Sequence, residues 1–236
     1  MGIKHQTINR GLRNWCDLML MKFYNYIIGR KYNVEGLYIS YILNVFEEYT
    51  TSKRKILIVG QNDIMRVNLK KAAEKRLLYD DLSNEALEFR NGEKLKDKTF
   101  WNFCHELNSK INGNSHLGFV YTNLIKLNGK DGNEDEWKFE KFIRPMISLL
   151  SMEIFEIEPE VIVFMTGQEY DKYINFALPF EGDEVKLEEV EGYDIKDFAS
   201  FKFSDRQSYR IHPPEYLKSR GLVDIYMNEL VELIKL

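Results

Sequence analysis

The chain has 236 residues, of which 44% are hydrophobic and 14% aromatic, so it can build a large core and is not expected to be disordered. Its two cysteines cannot supply the four thiolates of a typical iron–sulfur cluster, and no zinc-binding spacing occurs. No run of about 20 apolar residues is present, and the N-terminus does not resemble a secretion signal. We therefore expect a cytoplasmic protein with two reduced thiols and no contact with a membrane.

The formal net charge of -4 is unevenly distributed along the chain. Residues 52–76 carry eight Lys or Arg and two acidic residues, whereas residues 153–197 carry three Lys or Arg and fourteen acidic residues. A chain polarised in this way can present a basic face to a polyanion. Charge runs are equally common on faces that only contact solvent, and composition alone does not separate these two interpretations.

Residues 1–52 are predicted to form a helical extension that packs on a core domain, residues 53–236. Apolar residues three and four positions apart predict one amphipathic helix over residues 7–31 and a second over residues 35–50. Their aromatic residues are expected to belong to the core and not to a ligand site.

Short apolar runs in the core domain predict four buried strands, at residues 55–59, 118–123, 161–165 and 208–211. Helices are predicted between and after them, at residues 64–78, 99–112, 137–156, 169–178 and 221–235. Alternating strands and helices favour an α/β fold, namely a three-layer α/β/α sandwich with a mainly parallel four-stranded central sheet. The acidic segment 180–200 is expected to form a hairpin or an insertion, which leaves open whether residues 181–197 cover a site.

Polar residues follow three of these strands. The first strand runs into Gly60, Gln61, Asn62 and Asp63, the second ends at Asn123, and the fourth ends at His212. Because the carboxyl ends of parallel strands share one edge of a sheet, we expect these side chains to converge there.

Their chemistry suits recognition and release of a nucleobase. An amide offers a donor and an acceptor to a base, an imidazole can donate a proton or a hydrogen bond to a leaving group, and Asp or Asn can hold a water. Each residue also has a purely structural interpretation. Asn62 or Asp63 could cap the following helix, Asn123 could satisfy backbone groups, and His212 could shape a turn before two prolines.

The same stretches resemble the motifs of the uracil-DNA glycosylase superfamily across roughly residues 53–235. Residues 58–63 (Ile-Val-Gly-Gln-Asn-Asp) resemble the first motif, and residues 122–126 resemble the strand end whose Asn reads the base. Residues 161–167 resemble the apolar strand before the last motif, and residues 210–217 resemble the His-Pro-Ser motif with its intercalating loop.

The resemblance implies a monofunctional DNA glycosylase that flips a base out of DNA and hydrolyses its N-glycosidic bond. It implies no cofactor and no metal, and we expect a monomer that binds double- or single-stranded DNA.

The implied catalytic residues are Asn62 or Asp63, which would orient the water, and His212, which would stabilise the departing base. The implied contacts to the base come from Gly60, Gln61, Asn123 and a stacking aromatic residue, for which Phe89 and Tyr79 are the candidates. The implied contacts to the DNA backbone and base stack come from Lys126, Arg210, Pro213, Pro214 and Tyr216, with further phosphate contacts from the basic helix after the first motif and the N-terminal helices.

Two departures from the motifs leave the substrate open. Asp63 replaces the Pro of the first motif, and Pro214 replaces the Ser of the last motif. The base could be uracil, a mismatched base or a modified base, in base-excision repair or in defence against phage DNA. Two other functions remain alternatives. One is a glycosylase-like module that binds DNA without cutting, and the other is an unrelated α/β hydrolase or nucleotide-binding enzyme, although no Gly-x-Ser-x-Gly turn or Gly-rich phosphate loop occurs.

Overall fold

The computed structural model describes residues 3–40, 43–61, 66–83, 98–113, 117–129, 144–177, 185–203 and 206–235. The helices in these ranges include α1 (Ile3–Arg30), α2 (Glu47–Thr51), α3 (Leu69–Lys75), α4 (Lys98–Asn112), α5 (Arg144–Ile157), α6 (Asp171–Ala177), α7 (Pro214–Ser219) and α8 (Val223–Lys235). Residues 79–83 are also helical. The strands are β1 (Leu37–Ser40), β2 (Ile56–Gly60), β3 (Arg66–Asn68), β4 (Phe119–Asn123), β5 (Leu127–Gly129), β6 (Val161–Met165), β7 (Glu188–Glu189), β8 (Phe198–Phe203) and β9 (Arg206–Ile211). The predicted α/β class is confirmed.

The main sheet has six strands in the order β4-β2-β6-β9-β8-β7. The first four strands in that order are parallel, and β8 and β7 continue the sheet in antiparallel orientation. The sheet is therefore mixed and six-stranded, whereas four strands were predicted. The predicted strands form its parallel part. The additional strands lie at residues 188–189 and 198–203, within and directly after the acidic segment 180–200, for which a hairpin or an insertion was expected.

Helices cover both faces of this sheet because successive residues of each strand point to opposite faces. Leu57 and Val59 of β2 pack in one apolar cluster with α1, α5 and α6. Ile56 and Ile58 pack in a second cluster with α4, α7 and α8. Since residues of α1 share a cluster with Leu57 and Val59 of β2, the N-terminal helix packs against the same core as the main sheet.

A second, antiparallel sheet has the order β3-β1-β5 and corrects two predictions. The helix predicted over residues 35–50 is wrong, because residues 37–40 form the central strand of this sheet. Leu37 and Ile39 are buried and Tyr38 between them is partly exposed, an alternation typical of a strand that ends at the buried Ser40. The helix predicted over residues 64–78 begins only at Leu69. It is capped by Asn68, whose side chain accepts the N–H of Lys71 at 3.1 Å, and not by Asn62 or Asp63.

Pro145 is the second described residue of α5. Cys16 and Cys104 are buried thiols that do not form a disulfide. Among the helices of the described ranges, none combines the length and hydropathy that a membrane span requires.

Candidate functional site

Four parallel strands end level with one another at the carboxyl edge of the main sheet. Gly60 pairs with Asn123 on one side and with Met165 on the other, and Met165 pairs with Ile211. Because neighbouring strands lie about 4.8 Å apart, the ends of β4 and β9 are roughly 14 Å apart. Gln61 and His212 follow directly, so the structure brings the backbone of four predicted site residues, Gly60, Gln61, Asn123 and His212, to this edge.

Gln61 ties the ends of two strands together. Its side-chain Nε2 donates to the carbonyl oxygen of Thr166 at 2.7 Å, and it lies 3.4 Å from Oε1 of Glu169. Its own carbonyl accepts the backbone N–H of Ile125 at 3.1 Å. Gln61 therefore connects β2 with the turns that follow β6 and β4, and its amide is oriented by these contacts.

Asn123 is buried, and a tyrosine fixes its amide. The hydroxyl of Tyr121 donates to Oδ1 of Asn123 at 2.5 Å. Gly60 makes this close arrangement fit, because a Cβ at residue 60 would lie 2.7 Å from the Tyr121 hydroxyl and 3.3 Å from Oδ1 of Asn123. The amide predicted to read a base is thus held in one orientation at the sheet edge.

Aromatic rings surround Tyr121. Phe100 and Trp101, from the first turns of α4, meet its ring edge-to-face at centroid distances of 5.2 and 4.9 Å. These rings lie near Asn123 and were not predicted as site residues, although the alternation of β4 places residues 121 and 123 on the same face. Tyr79, one of the two predicted stacking residues, is buried with its hydroxyl donating to the carbonyl of Leu43 at 3.1 Å, so its ring is not exposed for stacking on a base.

His212 contacts an acid and an aromatic ring. Its Nε2 lies 3.0 Å from Oδ1 of Asp197, and its ring centroid lies 4.2 Å from that of Tyr216 at an interplanar angle of 30°. Because a carboxylate only accepts hydrogen bonds, Nε2 carries the proton in this contact. Nδ1 is then an acceptor in the neutral ring and a donor in the imidazolium ion.

Lys126 does not contact phosphates as predicted, because it is buried within the core. Its Nζ lies 2.7 Å from Oε2 of Glu153 and also contacts the hydroxyl of Thr122, and the Lys126 and Glu153 side chains are each 1% exposed. Burial raises the pKa of the Cys16 thiol far above its ordinary value, and the negative charge of Glu153 raises this pKa further.

Arg210 is also buried, and its predicted role as a DNA contact is wrong for the same reason. Its Nε donates to Oδ1 of Asp171 at 3.0 Å, and its two terminal nitrogens donate to the carbonyls of Lys196 and Ile195 at 2.6 and 2.5 Å. Burial raises the pKa of the Asp171 carboxyl, although the charge of Arg210 opposes this shift. The guanidinium fastens β9 to α6 and to the loop before β8.

The predicted intercalating loop is mostly folded into a helix. Pro214 is buried at the first position of α7, where proline is favoured, so its prediction as a wedge is wrong. Pro213 is partly buried, and Tyr216 remains 40% exposed beside His212. Of the three residues, Tyr216 is the one that presents a large ring to solvent.

Exposed cations occur on α3, which comes directly after β3 in the chain. Its exposed residues include Lys70, Lys71 and Lys75, and Arg76 follows its last turn. This agrees with the predicted basic face of the helix after the first motif. A cavity of about 350 Å³ lies between α3 and the end of α1 and includes none of the predicted site residues.

Asn62, Asp63 and Phe89 lie outside the described residues. Among the described residues, no three His, Cys, Asp or Glu side chains are grouped so that they could hold a metal ion.

No protein-family model matches the sequence, and a comparison with curated proteins finds no significant match.

Proposed function

We propose that the protein is a monofunctional DNA glycosylase of the uracil-DNA glycosylase type, which binds an extruded base and hydrolyses its N-glycosidic bond. The observation that carries this proposal is the alignment of Gln61, Asn123 and His212 at the carboxyl edge of four parallel strands. The order of these residues along the chain and their local sequences resemble the motifs of that superfamily.

Each side chain has a role in the proposed reaction. The amide of Asn123, fixed by Tyr121, binds the edge of the base. His212, bound to Asp197 through Nε2, donates from Nδ1 of its imidazolium form to the base as negative charge develops on it. Asn62 and Asp63, which come next in the sequence after Gln61, orient the attacking water. The reaction leaves an abasic site and a free base, and it fits a role in base-excision repair or in defence against phage DNA with modified bases.

DNA would be bound through exposed cationic and aromatic side chains. The exposed lysines of α3 supply positive charge for phosphates, and Tyr216 supplies an exposed ring next to His212 that can contact the base stack. Lys126 and Arg210 do not take part, because their cationic groups are bound inside the core.

Base release from defined oligonucleotides tests the proposal. The panel holds uracil, mismatched bases and modified bases, each in single- and double-stranded DNA, and cleavage of the abasic product by alkali reports release. We expect His212→Ala, Asn123→Ala and Asn62→Ala to lower release by at least about 100-fold without unfolding the protein. Asn228→Ala, on the exposed face of α8, is the matched control. Absence of release from the whole panel, or full release by the site variants, would overturn the proposal.

A second candidate function is binding of damaged or modified DNA without cutting. The observation that favours it is the engagement of His212, whose Nε2 is bound to Asp197. Tight binding of an oligonucleotide that contains an abasic site or a modified base, with no product over hours, would identify this function.

A further inference from the structure

Glu169 lies at the carboxyl edge of the main sheet, in the turn between β6 and α6. Its Oε1 lies 3.4 Å from Nε2 of Gln61, the side chain that also binds the Thr166 carbonyl. The residue is exposed, so water and substrate can reach its carboxylate. The carboxylate of Glu169 therefore lies beside Gln61 at the end of β2. Asn62 and Asp63 follow Gln61 in the sequence.

Gly167 allows the carboxylate to lie so close to the turn. Its backbone has a φ of 76°, a conformation that favours glycine. A Cβ at residue 167 would lie 2.7 and 2.9 Å from the two carboxylate oxygens of Glu169. The carboxylate thus occupies the space over Gly167 that a side chain would otherwise fill.

The strand order places this carboxylate between the residues proposed to bind and release the base. Along the edge, β4 carries Asn123, β2 leads to Gln61, β6 leads to Gly167 and β9 leads to His212. The N–H of Gly167 donates to the carbonyl of Ile211 at 2.9 Å, so the turn that holds Glu169 is bonded to the residue just before His212.

We infer that Glu169 is the carboxylate that takes a proton from the attacking water in the base-release reaction, an inference that rests on the proposed function. The bond between the sugar C1′ and the base nitrogen breaks, and its electron pair leaves with the base. The water oxygen bonds to C1′, and one water proton passes to Glu169. The base takes up a proton either from solvent or from Nδ1 of the His212 imidazolium ion, which then regains a proton from solvent, and Glu169 returns its proton to solvent.

The chemistry of the neighbouring groups supports this assignment. An amide such as that of Asn62, Gln61 or Asn123 can orient a water but cannot take its proton at neutral pH. Among the residues that the structure describes, two other carboxylates of this region are bound to cations or rings: Asp171 to Arg210, and Asp197 to His212. Glu169 contacts a neutral amide instead, which leaves its second oxygen outside the contact to Gln61.

Glu169→Gln separates proton transfer from structure, because the amide oxygen can still accept from Gln61 while the group can no longer act as a base. We expect single-turnover base release to fall by at least about 100-fold, with unchanged affinity for the oligonucleotide. Glu160→Gln is the matched control. Glu160 lies at the amino end of β6, at the opposite edge, where it makes a single exposed ion pair of 3.9 Å with Arg54.

Chemical rescue adds a readout that a structural role would not change. Glu169→Ala is assayed with sodium formate and with sodium chloride at equal ionic strength, and we expect formate to restore release in this variant and to leave His212→Ala inactive. If the wild type and Glu160→Gln release base and Glu169→Gln does so at the wild-type rate, or loses release only through weaker DNA binding, the inference is wrong and the proposed function stands. Absence of rescue by formate also counts against it. If the wild type releases no base from the panel, the proposed function and the inference both fail.

Discussion

Gly60 and Asn123 lie directly opposite each other at the carboxyl ends of β2 and β4. Because Gly60 has no side chain, there is room beside it for the hydrogen bond between the Tyr121 hydroxyl and the Asn123 amide. The Tyr121 hydroxyl and the Asn123 amide both lie within 3.3 Å of the position that a Cβ at residue 60 would take. A small residue at the end of a buried strand thereby determines how the amide is oriented.

Gly60→Ala is expected to destabilise the protein by about 1–3 kcal/mol, because the new methyl group overlaps the Tyr121 hydroxyl and buried neighbours cannot move freely. Urea denaturation measures this loss. If the protein releases a base, the rate should fall as well, since the Asn123 amide is displaced.

Tyr121→Phe provides the control for this interpretation. Without the hydroxyl, the added methyl group has more room, so Gly60→Ala should cost less in the Tyr121→Phe background than in the wild type. Equal costs in both backgrounds would show that the hydroxyl is not the obstacle.

Lys126→Met is expected to lower the free energy of unfolding by about 3–5 kcal/mol, because it leaves the buried Glu153 carboxylate without its cation. The double variant Lys126→Met/Glu153→Met should be markedly more stable than this single variant, since no buried charge remains. A double-mutant cycle by chemical denaturation gives the coupling free energy. Additive effects of the two changes would contradict the pairing.

Lys70→Gln and Lys71→Gln test the exposed face of α3 as a phosphate contact. The slope of log affinity for DNA against log salt concentration should fall by about 1 for each lysine that contacts a phosphate. Lys126→Met, measured under conditions where it is folded, should leave the slope unchanged because its ammonium group lies in the core. The reverse pattern would restore the DNA contact first predicted for Lys126.

The position of the candidate site could be predicted in part from sequence, because β2 and β6 are continuous apolar runs and a glycine or a polar residue marks the ends of β2, β4 and β9. Gly60, Asn123 and His212 follow from such runs, and parallel pairing then aligns them. The burial of Lys126 could not be predicted in this way, because its partner Glu153 lies 27 residues further along the chain. Glu169 was missed for a similar reason, since its contact with Gln61 spans 108 residues and depends on the backbone of Gly167.

Asp197→Asn is expected to slow base release by up to about 100-fold, because the imidazole of His212 loses the carboxylate that orients it and small displacements of catalytic groups are costly. Affinity for DNA should change little, since Asp197 does not carry the phosphate contacts. Single-turnover kinetics and a binding assay separate the two effects. Asp224→Asn, an equivalent change on exposed surface at the start of α8, should leave the rate unchanged.

Tyr209→Phe is expected to alter the pH dependence of stability in alkali. Tyr209 is buried, its hydroxyl donates to the carbonyl of Leu233 at 3.3 Å, and burial raises its pKa from 10.0 to about 12. Between these values the folded protein keeps the proton and the unfolded chain releases it, so stability falls as the pH rises through this window.

At neutral pH the phenylalanine variant should be less stable by about 1 kcal/mol, because a hydrogen bond is lost. Its stability should then fall less steeply than that of the wild type above pH 10, although Tyr226, whose pKa burial also raises to about 12, still contributes. Urea denaturation across this pH range measures both effects, with Tyr216→Phe on the exposed side of α7 as the control. Parallel curves for the wild type and Tyr209→Phe would show that the buried hydroxyl ionises as easily in the folded protein as in the unfolded chain.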